Sequence, residues 1–176
     1  MSPPDVRLRP ATGADVDFLR SVYASTRAEE LDLTGWSPEQ RAVFVSMQFD
    51  AQRADYARRH PDGRLDVVVV DGNDAGRLWV DRTPEAILVM DIALLPAWRG
   101  RGVASRLLSD LVAEAATRSQ VVVLHVEKFN RARRLYERLG FEVVEDGPLY
   151  VRLENSRGRD DRNTPAAMPP RIPERG

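Results

Sequence analysis

The sequence predicts an α/β (α+β) fold: one domain on a mixed, mostly antiparallel sheet that contains a parallel strand pair and is flanked by about four helices. Three observations carry that prediction. Residues 65–70, 76–81 and 86–95 are runs rich in Val, Ile, Leu and Trp. Turn residues separate them at Asp71-Gly72-Asn73 and Arg82-Thr83-Pro84, so they read as an antiparallel meander. The third run feeds Arg99-Gly100-Arg101-Gly102-Val103-Ala104, a glycine-rich turn that opens an amphipathic helix and is followed by the apolar run 121–127. Strand, turn, helix and strand in that order form a right-handed crossover, whose two strands run parallel. Ser37-Pro38-Glu39-Gln40 supplies a helix cap, a proline in the first turn and an early acidic residue.

The remaining elements follow in chain order. Residues 6–11 form a short edge strand, where Pro10 can lack a donor N–H. Thr12-Gly13 turns the chain. Over residues 14–27, Val16, Leu19, Val22 and Tyr23 recur at helical spacing. The helix opened by Ser37 runs to His60, with an apolar face of Phe44, Met47, Ala51 and Tyr56 beside Val45, Phe49 and Gln52. Residues 29–36 read as an acidic loop with an exposed tryptophan, Trp36. After the glycine turn, Val103, Leu107, Leu108, Leu111, Val112 and Ala115 mark one helical stripe. Asn130 caps a helix over 131–139 that Gly140 ends, and 141–145 with 149–153 make a last hairpin around Asp146-Gly147-Pro148. The domain spans residues 1–154. Residues 155–176 are rich in Arg, Asp, Pro and Gly, with too few apolar side chains to offset ordering entropy, and are expected to be a disordered tail.

Composition narrows the function classes. A chain of 176 residues with 43% hydrophobic and 30% charged side chains suits one soluble domain with its own core. It has no cysteine, which excludes disulfides, thiolate metal sites and a cysteine nucleophile. His60 and His125 are the only histidines and no acidic string has calcium-loop spacing, so no metal is expected. A formal net charge of −1 argues against a nucleic-acid partner. No stretch has the length of a membrane span and the start lacks a leader pattern, so a cytoplasmic protein without a membrane partner is expected.

The glycine turn carries the functional signal. Two glycines let the backbone turn tightly and approach a ligand, and the free N–H groups of the following helical turn suit an anion such as a phosphate. Glycine in a strand-to-helix turn also serves geometry alone, and the hexapeptide by itself leaves both readings open.

Together with Ile92-Ala93-Leu94-Leu95-Pro96 before it and Asn130 to Tyr136 before Leu139-Gly140-Phe141, this turn resembles the GNAT superfamily of N-acetyltransferases. The loop pattern of Arg or Gln, two residues, Gly, one residue, then Gly or Ala is met by Arg99, Gly102 and Ala104. The resemblance covers roughly residues 5–153. It implies a GNAT-like domain whose central parallel strands, 86–95 and 121–127, splay apart around acetyl-CoA as co-substrate. Its pyrophosphate would sit on the N–H groups from Arg101 to Ser105, making Arg99, Gly100, Arg101, Gly102, Val103, Ala104 and Ser105 binding residues. The pantetheine arm would pair like a strand with the backbone of Ile92, Ala93 and Leu94 and bond Asn130. Arg133 or Arg134 would reach the nucleotide. Tyr136 would bind the cofactor and protonate the departing thiolate.

Acetyl transfer needs a neutral amine, and neutralising an amine of pKa about 10.4 at pH 7 costs roughly 4 to 5 kcal/mol, so a base is expected. His125 is the first candidate by its place in the family pattern. Asp91 and Glu127 are weaker ones, and a packed strand histidine is the plain alternative. For Tyr136 the plain alternative is a core phenol; as an acid, with ordinary values, it gives up its proton to a thiolate uphill by about 2 kcal/mol. The acceptor is a small-molecule or peptide amine, with Tyr23, Trp36, Phe49, Gln52, Glu29, Glu30 and Asp32 as candidate wall residues and a cationic amine weakly favoured. A non-catalytic acyl-CoA-binding or sensing domain is the alternative function, and an enzyme acetylating aminoacyl-tRNA is disfavoured by the near-neutral charge. A homodimer rests on family analogy alone.

Overall fold

A computed structural model describes residues 4–157. Seven strands form one sheet: β1 (Val6–Pro10), β2 (Arg64–Val70), β3 (Asn73–Arg82), β4 (Ala86–Leu94), β5 (Val121–Glu127), β6 (Glu142–Asp146) and β7 (Tyr150–Asn155), in the spatial order β1-β2-β3-β4-β5-β7-β6. All neighbouring pairs are antiparallel except β4 with β5. The helices are α1 (Val16–Asp32), α2 (Pro38–Arg59), α3 (Val103–Thr117) and α4 (Arg133–Arg138). The expected mixed sheet, its single parallel pair and the four helices are all present.

Alternation along the strands divides the core. Val68, Val70, Leu78, Ile87, Val122, Leu124 and Leu153 face α3 and α4, where Leu107, Leu108 and Leu111 meet them. Val67 on the opposite face packs against Leu19, Tyr23 and Leu31 of α1 and Val45 and Phe49 of α2. Among the described residues no helix is long and apolar enough to cross a membrane.

Several boundaries differ from the sequence expectation for identifiable reasons. β3 starts at Asn73 because the β2–β3 turn needs only Asp71 and Gly72, both at positive φ; Asn73 and Asp74 already pair with Val70 and Val69. The supposed acidic loop is shorter, since α1 continues to Asp32 and carries Glu29 and Glu30 on its last turns. The buried stripe of α2 is Val45 and Phe49, with Gln52 and Tyr56 continuing it at partial burial, whereas Met47 is 63% exposed. α4 begins two residues late at Arg133: Asn130 still caps the approach, its Oδ1 accepting the Ala132 N–H at 2.8 Å, but residues 131–132 form a turn. Asn155 is the buried end of β7, paired with Val122, so the folded domain reaches at least that residue. Residues 158–176 of the expected tail lie outside the described residues.

Candidate active site

The site originates where the parallel pair comes apart. β4 and β5 are in register from Ala86↔Val121 to Val89↔Leu124, and beyond Val89 β4 keeps a strand partner only in β3. A bulge lies at that point: Val80 pairs with Val89 and Trp79 with Asp91, leaving Met90 as an extra residue. The bulge inverts the alternation, so Ile92 and Leu94 return to the α3 side of the core while Asp91 and Ala93 face away from it. The freed Met90 carbonyl accepts the Tyr56 hydroxyl at 3.1 Å.

Two cavities open at the splay. A loop cavity of about 510 Å³ lies between the end of β4, the glycine turn, the start of α3 and α4. An inner cavity of about 300 Å³ lies between β4, β5, α1 and α2. They share Ile92, Ala93 and Tyr136, so a molecule seated in one meets the contents of the other at those residues.

The loop cavity suits an elongated anion. Gly100 and Gly102 hold φ of 71° and 78°, a conformation that strains other L residues, and a Cβ on either would meet no atom within 4 Å. The glycines therefore provide a turn with open space above it. The first α-helical bond of α3 runs from the Arg106 N–H to the Gly102 carbonyl, leaving the N–H groups of Val103, Ala104 and Ser105 without helical acceptors. Those donors and the helix dipole match a diphosphate. Gly100, Gly102, Val103, Ala104, Ser105, Ile92, Ala93, Leu94 and Arg99 all line this cavity.

The arginines depart from expectation. Arg99 donates from Nε to the Leu94 carbonyl at 2.8 Å and from a terminal nitrogen to Ser25 of α1, bracing the loop against that helix. Arg101 lies over the Trp98 ring, 5.1 Å from its centroid, outside the cavity lining. Arg133 donates to Glu137 and lines neither cavity, because a one-turn pair on a short helix holds it along the surface. Arg138, which the sequence reading passed over, lines the loop cavity instead. The signal for it was its place in the last turn of the helix, facing the same side as Leu135.

Tyr136 is positioned by how α4 ends. The Gly140 N–H donates to the Glu137 carbonyl and the Phe141 N–H to that of Tyr136, with Gly140 at φ 86°; this double bond pattern closes the helix, and the Phe141 ring packs 6.1 Å from the Tyr136 ring. The Leu139-Gly140-Phe141 ending thus fixes the phenol. Burial, with a smaller contribution from the Asp91 carboxylate, pushes its pKa up to about 12. Asn130 lines the inner cavity.

His125 lies on the β5 face that turns away from α3, beside Arg152 of β7, and lines the inner cavity. Partial burial and the Arg152 charge lower its pKa, so the imidazole is neutral at pH 7 and able to accept a proton. Asp91 also lines this cavity, held by the buried Arg77 at 2.5 Å. Arg77 in turn donates to Gln52 and lies over the Tyr23 and Phe49 rings. Asp91 keeps 19% of its side-chain surface, yet protein surrounds it closely enough that desolvation raises its pKa in spite of Arg77.

All four tyrosines of the chain line the inner cavity. Of the proposed acceptor-wall residues, Tyr23, Gln52 and Glu30 reach it, with Arg27 and Thr26 from the same helix. Phe49 backs it from the core, while Trp36 packs on Phe44 and lines neither cavity. Glu29, Glu30 and Asp32 are each ion-paired, with Arg131, Arg27 and Arg41, which weakens their claim as binders of a cationic acceptor.

Comparison with known proteins places this architecture. Residues 61–143 match the family model described as an acetyltransferase (GNAT) domain. Among solved structures, the PaiA N-acetyltransferase from Thermoplasma acidophilum, in complex with coenzyme A, is similar at 14% identity over 86% of this chain and 99% of that one, with a TM-score of 0.66. A structure described as histone acetyltransferase HPA2 and related acetyltransferase from Corynebacterium glutamicum shares 23% identity over 87% and 96% of the two chains, with a TM-score of 0.60. An acetyltransferase from Thermus thermophilus shares 18% over 88% and 99%, with a TM-score of 0.61. No curated protein matches the sequence. The domain match runs from the end of α2 through the glycine turn to β6, so this segment carries a GNAT acetyltransferase domain, on a fold that the chain shares with these structures along nearly its whole described length.

Proposed function

We propose that the protein is an acetyl-CoA-dependent N-acetyltransferase in which a primary amine attacks the thioester directly. The observation that supports this best is the meeting of the two cavities at Ile92, Ala93 and Tyr136. The loop cavity takes the pyrophosphate on the N–H groups of Val103 to Ser105 and the pantetheine arm along the unpaired edge of β4. The inner cavity takes the amine. With no cysteine in the chain, a ternary complex needs no covalent acyl-enzyme.

Each chemical requirement has an owner. The amine nitrogen forms its bond to the thioester carbonyl carbon as the carbon–sulfur bond breaks. His125 accepts the amine proton and passes it to solvent. Asp91 serves less well as that acceptor, since protonation would remove its ion pair with Arg77. Tyr136 donates a hydrogen bond to the departing thiolate. With the phenol near 12 and an ordinary thiol near 8.5, complete proton transfer is uphill by roughly 5 kcal/mol, so the thiolate takes its proton from water.

Calorimetric titration with acetyl-CoA tests the reading. One-site micromolar binding is expected, weakened tenfold or more in Gly102→Val, followed by acetylation of primary amines. No binding by the folded protein overturns the proposal. Binding without transfer to any amine points to an acyl-CoA-binding domain instead.

A further inference from the structure

The inner cavity does not end at His125. A further cavity of about 290 Å³ adjoins it, and His125 and Tyr150 line both. Its other walls are Glu145, Arg152 and the β6–β7 turn at Gly147, Pro148 and Leu149. β5, β7 and β6 form its floor: Glu127 pairs with Tyr150, His125 with Arg152, and Arg152 with Glu145.

The charge of this second cavity is decided by which groups are already paired. Arg152 meets Glu154 at 2.5 Å, which offsets part of the positive charge that it presents to His125. His125 has a lowered pKa and is neutral at pH 7. Glu145 makes no ion pair with any described residue, and nearby Glu127 has only Arg27, at 3.9 Å and shared with Glu30. A carboxylate in no ion pair therefore faces the cavity, opposite Arg152 in register and about two inter-strand steps, roughly 10 Å, from the strand that carries His125.

We infer that the acceptor is an elongated dication: one amine reacts in the inner cavity beside His125, and a second positive charge is held in the adjoining cavity by Glu145, two strands and roughly 10 Å from the His125 strand. This rests on the proposed acetyl transfer and adds the class of acceptor. It moves acceptor recognition from the acids of α1, which their arginines neutralise, to the edge of the sheet. The Tyr150 ring between the two cavities offers the alkyl linker an apolar and cation-tolerant surface.

A matched trio of amines tests it: hexane-1,6-diamine, hexylamine and 6-aminohexanoate, which differ only in a distal charge of +1, 0 or −1. kcat/KM with acetyl-CoA is expected to fall in that order, at least tenfold from diamine to hexylamine, mostly through KM. In Glu145→Gln the diamine advantage should shrink to within about threefold, and in Glu145→Arg the order of diamine and carboxylate should reverse. Both substitutions lie on an exposed edge strand, and calorimetric acetyl-CoA binding confirms that each variant is folded. A lysine-containing dicationic peptide as a fourth acceptor shows, by its rate against the diamine, whether the second charge belongs to a free diamine or a peptide. Equal rates across the trio, or a diamine preference untouched by Glu145→Arg, overturn the subsite while leaving acetyl transfer intact. No acetylation of any amine overturns the transfer reading itself.

Discussion

Tyr136 and His125 face one cavity with pKa values moved away from each other, and this separates their roles. A phenol raised to about 12 stays protonated throughout the working range, so it acts as a hydrogen-bond donor. A hydrogen bond to a charged partner contributes about 1.5–3 kcal/mol, and Tyr136→Phe is therefore expected to lower kcat about 10- to 100-fold with little change in acetyl-CoA affinity. Steady-state kinetics beside calorimetry would show it. For His125 the sign runs the other way. A lowered pKa means the imidazole becomes a base at a pH below its ordinary 6.5, so kcat/KM should rise through that lower pH and be level near neutrality. His125→Gln should remove this acidic limb and leave the upper limb set by the amine. An unchanged acidic limb would assign the base elsewhere, with Asp91 next.

At the scale of elements, α1 and α2 act as the wall of the inner cavity and depend on one ring. Phe49 is completely buried, packs on Tyr23 at 6.0 Å between centroids and lies beneath Arg77. Truncating a buried phenylalanine typically costs about 3–5 kcal/mol, and Phe49→Ala should lower the urea midpoint accordingly. Arg77 would lose one of its aromatic faces, loosening its hold on Asp91. The amine KM should then rise more than the acetyl-CoA dissociation constant, because the loop cavity is built from β4, α3 and α4 instead. The Arg99 bonds to Leu94 and Ser25 are one direct tie between those two halves.

Across the whole molecule, the elements that local chemistry specifies were legible. The strand Val121–Glu127 falls at its expected bounds, because its continuous apolar start, Val121 to Leu124, is buried on both faces and alternation begins only at His125. Gly102 and Gly140 each sit at the positive φ that their turn positions demanded. Where the reading went astray, a tertiary contact chose between locally equal options. Met47 and Phe49 are both apolar on the same helix, and only the position of the sheet buried one and exposed the other. Arg101, expected at the phosphate, and Arg133, expected at the nucleotide, lie outside the cavity linings on the Trp98 ring and Glu137, whereas Arg99 lines the loop cavity while bonding Ser25.

By itself the sequence determined the order of elements, the crossover that makes one strand pair parallel, the glycine cradle and the helix ending that holds Tyr136. These follow from backbone preferences within a few residues, where sterics and local hydrogen bonds dominate. The tertiary structure alone decided which charges are neutralised and which face a cavity. The Met90 bulge that turns Asp91 inward and the Arg77 that meets it from β3 depend on register between strands, and only the fold shows that Arg152 closes on Glu154 along β7 while Glu145 forms no ion pair. Asp91 finds its cation on the neighbouring strand, and no spacing along the chain encodes that pair.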